Sequence, residues 1–415
     1  MMFLSDLINY AVWYVMIFFS MVWLLTFLKN RDNFSGNPGP PQSLPSVSAI
    51  VPAYNEEDVI EGTISSLLNL DYPKDKLEVI VVDDGSEDRT LEKARKFEPE
   101  IKVIEKDENR GKAHSLNVGT EIATGDFVVC LDADSFVESD TLKKMIGYFE
   151  NDNVGIVTPA LKVKNNEESF LSKIQHAEYL LNIFMRKIMT FLDTLPVAPG
   201  PFSIYRKEAL ENLGGFDEEN ITEDMEIALK FHDAGYKIEN SSDGLVYTIC
   251  PEKVKELYRQ RLRWYRGVIY NTFKYKHMLF NPNYGNLGIF YLPLNLISVI
   301  MIMFLFGLIG YNVLNNFLST FWNLQMVGFN ILPFFKELNL IPSLDLFLFN
   351  FTTILFVSIT IVGMGMLYVS FRKTDEKSLK NKAGFLSYLF IFPALLMLFW
   401  TSSIIHEVLG IKKRW

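Results

Sequence analysis

Two aspartates, Asp132 and Asp134, stand two residues apart directly after the apolar run 127–131. The run predicts a buried strand, and side chains at positions i and i+2 of a strand point to the same face. Both carboxylates can therefore reach one divalent cation at the end of the strand, and their hard oxygen atoms suit Mg²⁺ or Mn²⁺. A cation held there could neutralise a diphosphate leaving group, so the pair predicts a metal site.

The elements that position this pair alternate between strands and helices. Strands are predicted at 47–51, 77–82, 101–104 and 127–131, with helices between them at 58–68, 90–97 and 113–122. This alternation predicts an α/β domain with a parallel sheet and helices on both faces. Ligands bind such sheets at the carboxyl ends of the strands.

Polar residues follow two further strands at the same edge of the predicted sheet. Tyr54 and Glu56 follow the first strand, and Asp83 and Asp84 follow the second. Each cluster has a structural alternative, because such residues also serve turns and helix caps. Their convergence with the aspartate pair favours one binding site. The chain has no Gly-x-Gly-x-x-Gly after the first strand and no P-loop motif, so neither dinucleotide binding nor P-loop chemistry is supported.

A fourth acidic group, Thr222-Glu223-Asp224, opens a helix predicted over 225–234. A transfer that inverts an anomeric centre needs one carboxylate to take the proton of the acceptor hydroxyl, and Asp224 is the candidate. The alternative is that Thr222 caps the helix while Glu223 and Asp224 complement its dipole.

A basic cluster with one tryptophan precedes the C-terminal apolar region: Gln260, Arg261, Arg263 and Trp264. The planar guanidinium of arginine suits a diphosphate, and the tryptophan could stack on a sugar ring. The alternative is an anchor to anionic lipid with an interfacial tryptophan.

The composition separates a charged centre from apolar ends. Of 415 residues, 49% are hydrophobic and 14% aromatic, which is apolar for a soluble protein. The uncharged stretch 7–28 is long enough to cross a bilayer, and the apolar segments 287–313, 346–370 and 384–409 predict three further spans. Lys29 and Arg31 place the central domain in the cytoplasm by the positive-inside rule. The number of spans and the side of the C-terminus, which carries Lys412, Lys413 and Arg414, stay open.

Two function classes are disfavoured by charge and cysteine content. The formal net charge of −9 makes nucleic acid an unlikely partner. Two distant cysteines, Cys130 and Cys250, predict neither a disulfide framework nor a cysteine-based metal site.

Six motifs in order resemble the membrane-embedded family 2 glycosyltransferases, which include hyaluronan, chitin, cellulose and poly-N-acetylglucosamine synthases. They lie within residues 46–270 and are Tyr54-Asn55-Glu56, Asp83-Asp84-Gly85-Ser86, Asn109-Arg110-Gly111-Lys112-Ala113, Asp132-Ala133-Asp134, Thr222-Glu223-Asp224 and Gln260-Arg261-Leu262-Arg263-Trp264.

The resemblance implies a role for each matching position. Asp132 and Asp134 would bind UDP and Mg²⁺ or Mn²⁺, and Asp224 would be the general base. The remaining positions would bind the donor nucleotide, its diphosphate or the end of the growing chain: Tyr54, Glu56, Asp83, Asp84, Lys112, Glu223, Gln260, Arg261, Arg263 and Trp264.

The resemblance also implies an architecture and an activity. It implies an N-terminal transmembrane helix (1–30) and a cytoplasmic GT-A-type nucleotide-sugar-binding domain (46–270) with a mostly parallel sheet. An interfacial segment and about three transmembrane helices follow (271–415). The implied reaction is inverting, metal-dependent transfer from a UDP-sugar, UDP-N-acetylglucosamine by analogy, to a growing polysaccharide, processive and coupled to export.

Two alternatives to this activity are kept. One is transfer of a single sugar to a membrane lipid, as by ceramide-type glucosyltransferases. The other is a non-catalytic subunit or transporter, which intact Asp132, Asp134 and Asp224 disfavour. A need for an accessory subunit is left open.

Two segments bear on the acceptor. Residues 199–206 resemble the segment that lines the acceptor pocket, but Ala198-Pro199 stands where relatives often carry Cys-Ser, which leaves the acceptor open. Gln175, Glu178 and Tyr179 fall on a helix predicted over 170–191, where relatives carry a similar polar set and packing is the alternative.

Overall fold

The computed structural model describes residues 2–34, 36–326, 351–373 and 382–411. It divides into two compact units, Met1–Val22 with Asn295–Gly365 and Trp23–Leu294 with Met366–Trp415. Every residue that the sequence assigns to the candidate site lies in the second unit. The basic residues Lys412, Lys413 and Arg414 lie outside the described residues, as do parts of the stretches between the predicted C-terminal spans.

The described chain contains these strands and helices in order: α1 (Met2–Asn30), β1 (Val47–Ala53), α2 (Ile60–Leu68), β2 (Leu77–Asp83), α3 (Thr90–Arg95), β3 (Lys102–Glu105), α4 (Lys112–Ile122), β4 (Phe127–Cys130), β5 (Ser135–Val137), α5 (Thr141–Ile146), β6 (Val154–Val163), α6 (Phe170–Thr190), β7 (Ser203–Arg206), α7 (Lys207–Asn212), α8 (Glu223–Asp233), β8 (Lys237–Thr248), α9 (Val254–Lys274), α10 (Leu292–Met326), α11 (Phe351–Lys373), α12 (Lys382–Phe390) and α13 (Phe392–Val408). The strands and helices predicted between residues 47 and 131 are present, each within two residues of its predicted bounds.

Eight strands form one sheet in the order β3-β2-β1-β4-β7-β6-β8-β5. The first four strands are parallel, as the alternation predicts. β7 runs antiparallel to both β4 and β6, and β5 runs antiparallel to β8. β6 and β8 run parallel to each other, so four of the seven strand pairings are parallel and three are antiparallel. The sheet is therefore mixed, and the antiparallel pairings of β7 and β5 interrupt the predicted parallel arrangement.

Helices cover both faces of the parallel half because alternate residues of β1 point to opposite sides. Val51 packs with Ile60 and Ile64 of α2 on one face, whereas Ile50 packs with Leu116 of α4 on the other. Burial of such a side chain contributes about 1.5–3 kcal/mol. The two layers fix the ends of β1, β2 and β4, which carry the predicted site.

One described helix, Tyr10–Asn30, is long and apolar enough to cross a membrane. α10 continues to Met326, beyond the end of the span predicted over 287–313. The last predicted span is divided at Ile391 into α12 and α13, next to Pro393. The three predicted C-terminal spans are therefore not confirmed.

Candidate active site

An open cleft of about 650 Å³ lies where β1, β2 and β4 end. Strand register explains the convergence, because Ala53 pairs with Asp83 and Ile50 pairs with Cys130. The cleft brings together predicted residues from four motifs of the first half and one from α9. Its lining comprises Pro52, Ala53, Tyr54, Glu56, Asp84, Lys112, Ser115, Asp132, Ala133, Asp134 and Arg263.

Lys112 joins the two predicted halves of the site. Its Nζ lies 2.5 Å from Oδ1 of Asp132 and 2.9 Å from Oε1 of Glu223. Gly111 precedes it with a φ of 92°, which a glycine adopts without strain, and Lys112 then begins α4. Burial lowers the pKa of Lys112, but the facing carboxylates outweigh burial and raise it, so the side chain stays charged.

The loop 199–202 closes against this ion bridge. A Cβ on Gly200 would lie 2.3 Å from Nζ of Lys112 and 2.6 Å from Oδ1 of Asp132, so only glycine permits the approach. Ser203 Oγ donates a hydrogen bond of 2.6 Å to the Pro199 carbonyl, which holds the loop at the start of β7. The segment that resembles an acceptor-pocket lining therefore contacts the predicted metal ligand.

Asp84 stabilises the turn that precedes Lys112. Its carboxylate accepts hydrogen bonds from the backbone N–H groups of Arg110 (3.1 Å) and Gly111 (2.8 Å) and from Lys106. Asp83 accepts a bond of 3.0 Å from the backbone N–H of Ser86. Asp84 thus lines the cleft and also shapes it, whereas Asp83 is buried behind it.

The acidic wall of the cleft carries perturbed carboxylates. Burial, followed by the charges of Asp134 and Asp132, raises the pKa of Glu56 to about 7. Burial and Asp132 raise the pKa of Asp134 to about 6, although Ser135 Oγ donates it a hydrogen bond of 3.0 Å. The cleft lining contains four carboxylates and two basic side chains, so acidic groups outnumber basic ones there.

The donor set at this wall fits a divalent cation shared with a ligand. Among the described residues, no three His, Cys, Asp or Glu side chains are arranged to enclose a metal ion. Mg²⁺ is commonly held by one or two carboxylates, with substrate phosphates and water completing its shell. Asp132 and Asp134 supply two such carboxylates in a lining where acidic groups outnumber basic ones.

Asp224 lies beside the ion bridge at the start of α8. Burial and then the Glu223 charge raise the pKa of Asp224 to about 6, although Lys112 and Arg263 act in the opposite direction. Burial alone would raise the pKa of Glu223, but Lys112 and Arg263 outweigh it, so Glu223 stays ionised. The pKa values of the two adjacent carboxylates therefore shift in opposite directions. Asp224 is the one that can exchange a proton near neutral pH.

A buried amide network holds the start of α8. Thr222 occupies the N-cap position, but its side chain makes no capping hydrogen bond, contrary to the capping alternative. The side-chain amide of Asn271 in α9 instead donates a hydrogen bond of 3.0 Å to Oγ1 of Thr222 and accepts one of 2.7 Å from the side-chain amide of Asn220. Gly267 lets α9 come this close, since a Cβ there would lie 2.1 Å from Oγ1 of Thr222.

The structure divides the α9 motif into a cleft residue and a buried group. Arg263 lines the cleft and donates 3.2 Å to the Ile221 carbonyl. Arg261 makes two hydrogen bonds, of 2.7 and 2.6 Å, to the carboxylate of Glu178, and its guanidinium lies 4.3 Å from the Trp264 ring. Neither Arg261 nor Trp264 is part of the described cleft lining. The side-chain Oε1 of Gln260 is buried and accepts no hydrogen bond from the described residues.

Two buried residues that hold the start of α8, Asn220 and Asn271, are not predicted from the sequence. Asn220 lies two residues before Thr222 and accepts a bond of 3.1 Å from its backbone N–H, an Asx-turn pattern that could have been read locally. Asn271 has no local signal, because its partners lie about 50 residues away in sequence.

Comparison with known proteins shows similarity in part of the sequence and in the fold. Residues 48–214 match the model of glycosyl transferase family 2. The fold is similar to that of the mannosyltransferase PcManGT from Pyrobaculum calidifontis, solved with GDP-Man and Mn²⁺, with a TM-score of 0.60 over 97% of this chain and 100% of that one. At 20% sequence identity this likeness shows the fold alone, a GT-A-like α/β arrangement.

Curated relatives match part of the chain. The poly-β-1,6-N-acetyl-D-glucosamine synthase of Staphylococcus aureus (strain MSSA476) is 34% identical over 270 residues, which cover 62% of this chain and 65% of that protein. The poly-β-1,6-N-acetyl-D-glucosamine synthase of Staphylococcus epidermidis is 34% identical over 230 residues, which cover 54% of this chain and 55% of that protein. The chain thus spans just under two thirds of the length of the first relative.

Proposed function

We propose that this chain, whose residues 48–214 match glycosyl transferase family 2, transfers a sugar from a UDP-sugar to a growing polysaccharide. The proposed donor is UDP-N-acetylglucosamine, by analogy with the poly-β-1,6-N-acetyl-D-glucosamine synthases at 34% identity. The proposed stereochemistry is inversion, since one carboxylate, Asp224, is set apart as the base.

One observation carries the proposal. Lys112 bridges Asp132, which follows β4, and Glu223, which begins α8, with contacts of 2.5 and 2.9 Å. The bridge supports the proposal because it joins the segment that carries the aspartate pair to the start of the helix that carries the proposed base. Because these residues lie about 90 positions apart in sequence, turn or capping chemistry does not account for the arrangement.

The chain's own groups supply most of the proposed chemistry. Lys112 and Arg263 face the departing diphosphate with positive charge, which stabilises the negative charge that grows as the sugar leaves. Asp224, with a pKa raised to about 6, is largely ionised at neutral pH and still basic enough to take the acceptor proton. The acceptor oxygen then attacks the anomeric carbon from the face opposite the diphosphate.

Asp132 and Asp134 are the residues proposed to hold Mg²⁺ or Mn²⁺. When bound, such an ion supplies further charge neutralisation to the diphosphate. Glu56 adds a third carboxylate, whose pKa is raised to about 7 by burial and, to a smaller extent, by Asp134 and Asp132.

The membrane assignments are part of the proposal. The helix Tyr10–Asn30 is the candidate anchor, with Lys29 and Arg31 on the cytoplasmic side of it. We place the catalytic domain in the cytoplasm of a multi-pass protein and couple polymer growth to export through the C-terminal helices. A partner subunit is compatible with this arrangement.

A donor panel tests the proposal. The full-length protein in detergent with Mn²⁺ or Mg²⁺ is incubated with several UDP-sugars, and UDP release and product size are measured. UDP release with a high-mass polymer is the expected result. A product carrying one added sugar would favour a lipid or short acceptor over polysaccharide synthesis, and no release with any UDP-sugar would contradict the assigned activity.

Matched variants separate chemistry from folding. Asp224→Asn is expected to abolish sugar transfer at an unchanged melting temperature, because it removes the base but keeps the shape of the side chain. Asp152→Asn makes the same chemical change at an exposed position and is expected to behave like the wild type. Full transfer by Asp224→Asn would remove Asp224 from the mechanism.

A further inference from the structure

α6 carries a polar stripe that faces the interior of its unit. At 100° per residue, five polar side chains fall within about one 100° arc of this helix. The stripe comprises Gln175, Glu178, Tyr179, Asn182 and Arg186. Each is buried or half-buried, so the arc is covered by other parts of the protein and is not a solvated helix face.

The two ends of the stripe differ in their hydrogen bonding. At the N-terminal end, Gln175 donates a hydrogen bond of 2.8 Å to the Pro251 carbonyl. Both carboxylate oxygens of Glu178 accept hydrogen bonds from Arg261. At the C-terminal end, Asn182 and Arg186 make no hydrogen bond and no ion pair with any of the residues described. A half-buried guanidinium has only donors to offer, and leaving it unpaired is unfavourable unless something with acceptor atoms binds there.

Arg186 lies on the base side of the site. Burial lowers the pKa of Arg186, and the groups that oppose this shift are Tyr179, Asp224 and Glu178. Arg186 does not belong to the described lining of the donor cleft, whereas Lys112 and Arg263 do. Asp224 therefore interacts electrostatically with the donor-side cations and also with Arg186. A general base must face the acceptor hydroxyl.

The local charge favours a neutral ligand. Arg261 and Arg186 carry two positive charges, and Glu178 and Asp224 carry two negative ones when ionised, so the group balances without a bound anion. Hydroxyl and amide oxygens can accept hydrogen bonds from a guanidinium without adding charge.

We propose that Asn182 and Arg186 form a subsite that binds the terminal sugar of the acceptor and presents its hydroxyl to Asp224. The inference rests on the proposed transferase function and adds two specificity-determining residues to it. The amide of Asn182 and the N–H groups of Arg186 donate to ring hydroxyl or acetamido oxygens of a neutral carbohydrate.

Initial-rate kinetics test the subsite. UDP release from UDP-N-acetylglucosamine is measured against the concentration of a β-1,6-linked N-acetylglucosamine trimer, and donor hydrolysis is measured without the trimer. Asn182→Ala and Arg186→Gln are each expected to raise the trimer KM about tenfold, as expected for one lost hydrogen bond. The donor KM and the hydrolysis rate should stay within about twofold of wild type, because the donor cleft is intact. Arg186→Lys keeps the positive charge and loses the planar guanidinium, so its trimer KM should lie between those of the wild type and Arg186→Gln.

Controls keep the outcomes distinct. Lys173→Gln removes a cation from the opposite face of α6 and is expected to leave both KM values unchanged. Melting temperatures identify a variant that fails to fold, in which case Asn182→Ala, the smaller change, carries the test. An unchanged trimer KM, or a donor KM that rises equally, would overturn the subsite. Absence of UDP release in the wild type would instead remove the proposed function on which the subsite depends.

Discussion

Arg261 belongs to a motif that the family resemblance assigns to the diphosphate, yet its guanidinium is bound to Glu178. Its side chain is 2% exposed and that of Glu178 is 9% exposed, so solvent does little to screen the pair. We predict that Arg261 acts by positioning α9, and with it Arg263, rather than by touching the donor. Arg261→Met leaves the Glu178 carboxylate buried without a partner, whereas Glu178→Leu/Arg261→Met removes both charges.

The expected loss follows from the burial of the pair. Removing one partner of a buried ion pair costs about 3–5 kcal/mol, whereas replacing both partners with apolar residues is often neutral or stabilising. For a domain of this size, 1 kcal/mol lowers the melting temperature by about 2–4 °C. Arg261→Met should therefore melt about 6–20 °C below the wild type, and the double variant should recover most of this loss.

Thermal unfolding in detergent, followed by circular dichroism, and UDP release measure the two effects together. Arg259→Met is the control, because Arg259 is exposed on the same helix and its loss should change stability by about 0.5 kcal/mol or less. The double variant should regain transfer together with stability. A double variant that is stable but inactive would refute the positioning role, and an Arg261→Met protein that melts within about 2 °C of the wild type would refute the buried pair.

Further predictions concern the base, the glycine loop, the amide network and the cation. The transfer rate should fall about tenfold per pH unit below pH 6, because Asp224 acts as a carboxylate and its pKa is raised to about 6. Glu223→Gln removes one cause of that raised pKa, so the fall in rate should begin at a lower pH in this variant. A profile of transfer rate against pH measures both effects. Gly200→Ala should lower kcat/KM at least about tenfold because the new methyl meets the ion bridge, whereas Gly310→Ala, with open space around it, should not. Asn271→Ala breaks two buried hydrogen bonds and should cost about 1–3 kcal/mol in the free energy of unfolding, measured by thermal melting. Chelation with EDTA should stop UDP release, and added Mn²⁺ should restore it; full activity in EDTA would exclude the cation.

The parallel half of the fold and its strand-end cleft follow from local sequence patterns. The buried strands β1, β2 and β4 are marked by short apolar runs, and the polar residues that follow each run mark where it ends. Parallel strands with helical crossovers bring these ends to one edge, so the neighbourhood of Glu56, Asp84 and Asp132 could be predicted from spacing alone.

The mixed half of the sheet could not be read in the same way. β7 pairs antiparallel with β4 although more than 70 residues separate them, and no local pattern encodes that choice. The pairing of Glu178 with Arg261, 83 residues apart, escaped prediction for the same reason. Polar residues on a helix usually mark a solvated face, and only the packing of α6 shows that this stripe is interior.

The most direct test of the account is equilibrium binding of UDP to the purified full-length protein. Isothermal titration is performed with Mn²⁺ and with EDTA, on the wild type, on Asp134→Asn and on Asp152→Asn as the matched control. The account predicts Mn²⁺-dependent binding by the wild type and the control, and binding weakened at least about tenfold in Asp134→Asn, because two carboxylates hold the ion against the diphosphate. Equal UDP affinity in Asp134→Asn and the wild type would contradict the assignment of this strand-end cleft as the donor site.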